Sequence, residues 1–240
     1  MPIAGLYKIF DHWHQEGTVF IYSDPHFNDP DLKKGIERPD ADELVRRINS
    51  KCGRKDTFIC LGDIVDVSYV SKIRAKYKIL ICGNHDRGVT NYQRIKGEKV
   101  YSKSEYSNFL EVKAAASAEY PNYQFSISQT ENSWVVYYDN MLFDEVYDGV
   151  LTIGERLILS HEPVDVPWAF NIHGHVHDRR HKNDKRHFNC CADVINYEPI
   201  NFNQWMKSGY LAHIDSIHRE AINTANIRKA KRGGKKIGEK

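Results

Sequence analysis

Five short blocks hold most of the chain's chemically capable residues. They are Asp24-Pro25-His26, Gly62-Asp63-Ile64-Val65-Asp66, Gly83-Asn84-His85-Asp86, Ser160-His161 and Gly174-His175-Val176-His177. Together they carry enough metal-ligating groups for two adjacent ions, with a His-Asp pair to spare. That set suits the activation of water against a phosphate ester. Asp24 and His26 are two residues apart, as are His175 and His177. In extended backbone such residues point the same way, and Pro25 biases Asp24 toward that conformation. Each pair is therefore expected to aim two ligands at one place. Asp63 can bridge two cations through its two oxygens, and Asn84 offers a neutral carbonyl oxygen. The imidazoles suit Mn, Fe, Zn, Ni or Co better than Mg or Ca.

The elements around the blocks give them a common location. Thr18 to Tyr22, Thr57 to Leu61 and Lys78 to Cys82 are apolar, β-branched runs that read as buried strands. A helix is expected from about Asp40 to Lys51, capped by Asp40 or Asp42, with Leu44, Val45 and Ile48 inward and Gly53 as its stop. Val70, Ile73 and Tyr77 mark a short second helix. This order implies parallel strands with right-handed crossovers. Further strands are expected at Trp134 to Tyr138, Val150 to Ile153, Arg156 to Leu159, Ala169 to His173 and Phe188 to Ala192. Asp24, Asp63, Asn84, His161 and His175 each follow a strand by one to three residues, and open α/β sheets bind ligands there. One block alone is weak evidence; five in order are strong.

Composition bounds the rest. A chain of 240 residues, 41% hydrophobic and 28% charged, is expected to form one soluble α/β domain, here residues 1–226. Net charge +2 gives no global field for nucleic acid. No apolar run is long enough to cross a bilayer, and Met1-Pro2-Ile3 opens no signal-peptide pattern. A cytoplasmic location and no membrane partner are expected. Cys52, Cys60, Cys82, Cys190 and Cys191 are odd in number and read as buried free thiols. The polar, Ser-rich stretch 97–133 reads as an insertion with one helix from Ser104 to Tyr120 stopped by Pro121, or as an ordinary connecting helix. Residues 227–240 carry seven Lys or Arg and one acid. They read as a solvated basic tail, or as a contact for a phosphate-rich partner such as nucleic acid.

The ordered blocks resemble the calcineurin-like metallophosphoesterase superfamily, with its D-x-H, G-D-x-x-D, G-N-H-[DE], H and G-H-x-H pattern. The likeness spans about residues 18–200. Ser23 to Phe27 and Asn189 to Ile200 are similar to the opening and closing segments of small bacterial and phage members. The resemblance implies a four-layered α/β/β/α sandwich of two mixed sheets flanked by helices, with a dinuclear site at the strand C-terminal ends. It implies one metal held by Asp24, His26, Asp63 and His177, and a second by Asp63, Asn84, His161 and His175. Asp63 and a hydroxide would bridge them. It also implies two divalent transition-metal ions, with Mn²⁺ foremost in vitro and Fe, Zn, Ni or Co as alternatives. His85 fits the general acid for the leaving alkoxide, and Asp66 fits its orienting partner; a loop cap is the simpler role for Asp66. Arg87 is a candidate phosphate contact or a surface residue. His173 reads as packed, and His12, His14, His181, His187, His213 and His218 as surface or locally bonded.

The substrate is less legible. Val67-Ser68 after the second block and Asp86 at the end of the third depart from the protein Ser/Thr phosphatase branch. A small phosphorylated substrate, nucleotide or other, fits better. The complete Gly-His-x-His leans toward a phosphodiesterase, with a phosphomonoesterase as alternative. Two readings of other kinds are a catalytically silent metal-binding scaffold and a nuclease using the basic tail. None of the ligand positions is lost, which weighs against the scaffold.

Overall fold

The computed structural model describes residues 17–32, 37–86, 93–120, 123–154, 156–178, 184–214 and 217–233. It opens with β1 (Val19–Tyr22), α1 (Ala41–Lys51), β2 (Thr57–Cys60) and β3 (Tyr77–Ile81). The three strands are parallel, as expected, with Val19 level with Thr57 and Thr57 level with Tyr77. This register brings their C-terminal ends, and hence the first three blocks, to one edge. Asp40 is the cap of α1: its Oδ1 accepts from Glu43 N at 2.7 Å. Leu44, Val45 and Ile48 of α1 are buried, as read.

The second expected helix is a 3₁₀ helix over Val67–Lys72 and ends before Ile73. Two β-branched and two serine residues in six are poor α-helix formers. Tyr77 belongs to β3 instead.

The chain continues with β4 (Arg94–Ser102), α2 (Phe109–Glu119), β5 (Phe125–Gln129), β6 (Ser133–Met141) and β7 (Glu145–Tyr147). Then come β8 (Leu151–Ile153), β9 (Leu157–Leu159), β10 (Phe170–His173), β11 (His187–Asn189) and β12 (Ile200–Asn201). Helices α3 (Phe202–Lys207) and α4 (Ile217–Gly233) close it. One mixed sheet has the order β12-β1-β2-β3-β7 and a second the order β11-β10-β9-β8.

Alternation along the strands divides the core. Val19, Ile21, Ile59, Leu61, Ile79 and Ile81 face Leu157, Leu159, Phe170 and Ile172 of the second sheet. Phe20, Tyr22, Phe58, Cys60 and Leu80 face α1. Both faces of the first sheet are thus covered, which is why its strands read as unbroken apolar runs. Phe202 and Trp205 of α3 complete the core between the sheets. The architecture is the expected α/β arrangement of two packed mixed sheets with helices.

The insertion is larger and more ordered than the sequence suggested. Strands β4, β6 and β5 form a third sheet, with Tyr101, Val112, Ala116, Trp134 and Val136 in a core of its own under α2. The strand expected at Trp134 to Tyr138 belongs here rather than to the main sandwich. Helix α2 starts later than expected because Asn108 caps it, accepting from Leu110 N and Glu111 N at 3.0 and 3.1 Å. The Pro121 stop lies outside the described residues. The basic segment expected as a tail from residue 227 begins inside α4, which is exposed along 221–230; residues 234–240 lie outside the described residues. Among the described residues no helix is long and apolar enough to cross a membrane.

Candidate metal centre

The first two blocks lock together through their backbones. Asp24 N and His26 N donate to Gly62 O and Asp63 O at 3.1 and 3.0 Å, and Phe27 N donates to Ile64 O at 3.0 Å. The last block is held to the fourth by Gly174 N on His161 O, 2.8 Å. Asp86 ties the third block to the second: its carboxylate accepts from Asp63 N, Ile64 N and Gly83 N at 2.7, 3.1 and 2.8 Å.

These captures turn the chain in a way the sequence reading did not foresee. Asp24 and the histidine pairs were expected in extended backbone. Instead Asp24, His26, His175 and His177 have φ of 56°, 40°, 69° and 46°. The i, i+2 pairs do present their ligands together, but through left-handed residues flanking Pro25 and Val176. Asp63 and the β-branched Val65 are also left-handed, at 58° and 66°. Each such residue costs about 1–3 kcal/mol, a strain that clusters where geometry serves function.

The side chains gather into two joined groups. Asp24, His26 and His177 offer ligand atoms within 4.8 Å of one another, and so do Asp63, His161 and His175. Asp24 Oδ2 is occupied by His175 N at 2.9 Å. Its Oδ1 and His26 Nε2 are buried without a hydrogen-bond partner. Asp24 Oδ1 lies 3.8 Å from His26 Nε2 and 3.9 Å from His177 Nε2. These spacings are too long for hydrogen bonds. Burying such groups without a partner is costly, and a cation among them removes the cost. Asp63 is placed between the groups. Its Oδ1 accepts from His85 N at 3.0 Å. Its Oδ2 is 3.5 Å from His26 Nε2 on one side and 3.4 Å from His161 Nε2 on the other.

Tautomers support the same reading. Carbonyl and carboxylate oxygens only accept, so His161 Nδ1 donates to Leu61 O at 2.7 Å and His26 Nδ1 to Asp29 Oδ2 at 2.7 Å. His177 Nδ1 meets Asp193 Oδ2 at 3.2 Å. Each contact leaves Nε2 free to ligate. Asn84 Oδ1 sits 2.9 Å from both His161 Nε2 and His175 Nδ1, which are 3.1 Å apart. Only a proton or a metal ion holds these acceptor atoms together. The donor set therefore fits two divalent ions at Asp24, His26, Asp63, Asn84, His161, His175 and His177, the residues expected as ligands from the sequence.

Asp29 and Asp193 went unread in the sequence. A carboxylate on the far nitrogen of a ligating histidine fixes its ring, and losing it typically costs about 10–100-fold in metal affinity. Asp29→Asn and Asp193→Asn are each expected to weaken Mn²⁺ binding by that factor in a calorimetric titration. Unchanged affinity in both would show that they leave the imidazoles unaffected.

Charge sets the pH response. Burial disfavours the ionised Asp24, but His26, His161, Ser23 and His175 N outweigh it and hold the carboxyl below its ordinary range. Burial also disfavours the proton on His161, yet Asp63 and Asp24 raise its pKa above the ordinary value. Asp193 chiefly raises that of His177. Metal binding must displace these protons. Raised imidazole pKa values mean that the protons persist to higher pH, so Mn²⁺ affinity is expected to rise with pH through and above about 6.5. Proton release on binding, read in buffers of differing ionisation enthalpy, checks this; a flat affinity from pH 6 to 8 contradicts it.

The remaining expectations are met unevenly. His85 is 48% exposed at the mouth, with Nε2 4.0 Å from Asp63 Oδ2. The expected pairing of Asp66 with His85 is not what the geometry holds. Asp66 caps the 3₁₀ helix, Oδ1 accepting from Ser68 N and Oγ at 3.1 and 2.6 Å, and Oδ2 accepts from Asn28 Nδ2 at 2.8 Å. A carboxylate following a left-handed Val65 is turned toward the next helix, so the simpler role applies. Arg87, His12, His14 and His181 lie outside the described residues. His173 is buried against Gly174 O, and His187 is bonded to Asp184, both as read. All five cysteines are free, four of them buried, and burial pushes Cys52 up to about 12 and Cys82 to about 11, which removes them as nucleophiles.

A family model described as calcineurin-like phosphoesterase matches residues 17–194, which include all five blocks. Among solved structures the chain is similar to a protein of unknown function from Aquifex aeolicus, at 20% identity and a TM-score of 0.47, over 79% of this chain and 98% of that one. It is also similar to the nuclease MPE from Pseudomonas putida, at 16% identity and a TM-score of 0.35, over 66% and 61% of the two chains. A search of curated proteins finds no match. The matched span begins at the first strand of the sandwich and runs beyond Asp193, so the whole ligand set lies within it, and the chain belongs to the calcineurin-like phosphoesterase family.

Proposed function

We propose that the protein is a dinuclear metal-dependent phosphodiesterase acting on nucleotides or other small phosphate diesters, with Mn²⁺ the foremost metal in vitro. The observation that carries this reading is Asp63 Oδ2, poised between two groups of ligand-type atoms. Two divalent ions held there would supply Lewis-acid charge for the phosphoryl oxygens and an activated water. The chain supplies the rest. Asp29 and Asp193 hold the imidazoles in orientation. His85, beside Asp63 and open to the mouth, gives its proton to the leaving oxygen. Both histidines of Gly-His-x-His face the ligand groups, which supports a diester. A phosphomonoesterase is the alternative. Reconstitution with Mn²⁺, Ni²⁺, Zn²⁺ and Fe²⁺, assayed on bis(p-nitrophenyl) phosphate and p-nitrophenyl phosphate, separates the two. Faster turnover of the monoester overturns the diester reading, and no turnover of either points to the scaffold.

His85→Ala is expected to keep its metal and to lose about 10²–10⁴ in turnover on an ester with a poor leaving group. The loss on p-nitrophenyl esters is smaller, because that oxygen needs little protonation. Full turnover of the poor leaving group would remove His85 from the mechanism.

A nuclease is the second reading, favoured by α4, whose exposed stretch carries Arg228 and Lys229. Binding of single-stranded DNA at several salt concentrations tests it, since the salt slope reads phosphate contacts. Deletion of residues 227–240 should flatten that slope if the reading holds. The five free thiols support a reducing, cytoplasmic working place.

A further inference from the structure

One cation stands beside the ligand cluster without a stated task. Arg38 Nη2 donates to the carbonyl of Pro25 at 2.7 Å, and Pro25 lies between the ligands Asp24 and His26. The guanidinium lies over the Tyr197 ring, 5.9 Å from its centroid. Two contacts from different parts of the chain thus hold a half-buried Arg38 beside the Asp24-Pro25-His26 turn.

Arg46 and Arg47, on the neighbouring helix, are both paired with Glu43. Among the described residues no carboxylate lies within ion-pair distance of Arg38. Among the described residues one of its N–H groups is committed, to Pro25 O.

Charge balance shows why a cation belongs there. Asp24, Asp29, Asp63, Asp86 and Asp193 surround the ligand groups with five carboxylates. Two divalent ions neutralise four negative charges and leave nothing for the substrate's own. A phosphate ester entering the site brings further negative charge. A guanidinium with spare donors in a planar fork matches phosphate oxygens in geometry as well as sign.

We propose that Arg38 is a phosphate anchor, binding the charged oxygens of the ester beside the Asp24-Pro25-His26 turn. The proposal rests on the phosphoesterase reading for its substrate, but its own observable is anion binding.

The test titrates inorganic phosphate into Mn²⁺-loaded protein by calorimetry, with metal content measured in parallel. Arg38→Ala is expected to keep the wild-type metal content and to bind phosphate about 10–100-fold more weakly, the loss typical of one charged hydrogen-bonding group. Arg38→Lys should lie between the two, because it restores charge without the fork. Arg46→Ala, on an exposed side chain, should match wild type. With bis(p-nitrophenyl) phosphate, Arg38→Ala should raise KM more than it lowers kcat. Unchanged phosphate affinity in Arg38→Ala overturns the proposal. So does loss of Mn²⁺ from both Arg38 variants, which would make Arg38 a positioning residue for the Asp24-Pro25-His26 turn. If wild type binds phosphate but hydrolyses no ester, the phosphoesterase reading fails while the Arg38 comparison still stands.

Discussion

Asp63→Asn is expected to lower turnover by at least about 10²–10³-fold, the scale lost when a group that organises transition-state charge is removed. The change is nearly isosteric, so the fold should survive it. The introduced amide can still accept from His85 N through its carbonyl oxygen, as Asp63 Oδ1 does at 3.0 Å. The second oxygen is the one that matters. Asp63 Oδ2 faces His26 Nε2 and His161 Nε2 at 3.5 and 3.4 Å. Replacing it with an amide nitrogen removes the negative charge shared by both groups and puts a donor where an acceptor is needed. Metal content should fall from two ions per chain to at most one. Far-ultraviolet circular dichroism should be unchanged. A variant that keeps both ions and full turnover would show that Asp63 does not join the groups.

Gly174→Ala is expected to damage the site through a single methyl group. A Cβ there would lie 1.9 Å from Ser23 Oγ and 2.2 Å from Asp24 Oδ2. Neither neighbour is free to yield. Ser23 Oγ donates to Leu61 O at 2.9 Å, and Asp24 Oδ2 accepts from His175 N at 2.9 Å. The strand-end turn that carries Asp24 must therefore shift, and with it the ligand group. Overpacking of this kind costs about 1–3 kcal/mol. The melting temperature should fall, and Mn²⁺ should raise it by less than in wild type because the displaced Asp24 binds metal less well. Gly53→Ala is the comparison, since its Cβ would meet only Asp56 Oδ2, at 3.5 Å. Equal melting temperatures and metal contents in the two variants would contradict the close approach at Gly174.

The parts of the molecule that were legible share a physical cause. Strands β1, β2 and β3 are covered on both faces, so Val19 to Tyr22 or Thr57 to Cys60 could not avoid being apolar. The seven candidate ligands are legible by type, because few other tasks call for histidines and acids at successive strand ends. Backbone captures are silent by contrast. Nothing in Asp24-Pro25-His26 announces two left-handed residues, and Pro25 argues the other way. Asp29 and Asp193 looked like any surface acid. The one available signal was position, three residues after His26 for the first and inside the closing segment Asn189 to Ile200 for the second. Strands β4 and β5 mix Lys, Glu, Ser and Gln on an open face with few apolar residues on the other, so neither run stood out. Asp66 was expected to pair with His85, but an acid in the neighbouring block need not face that histidine. A left-handed Val65 and a helix that needs a cap decided its direction.

The most direct test of the account is to titrate Mn²⁺ into metal-free protein while following bound metal and hydrolysis of bis(p-nitrophenyl) phosphate together. The account predicts binding that saturates at two ions per chain, with hydrolysis appearing as the second ion enters. Saturation at a single ion with full hydrolysis, or two bound ions with no hydrolysis of any phosphate ester, would contradict it.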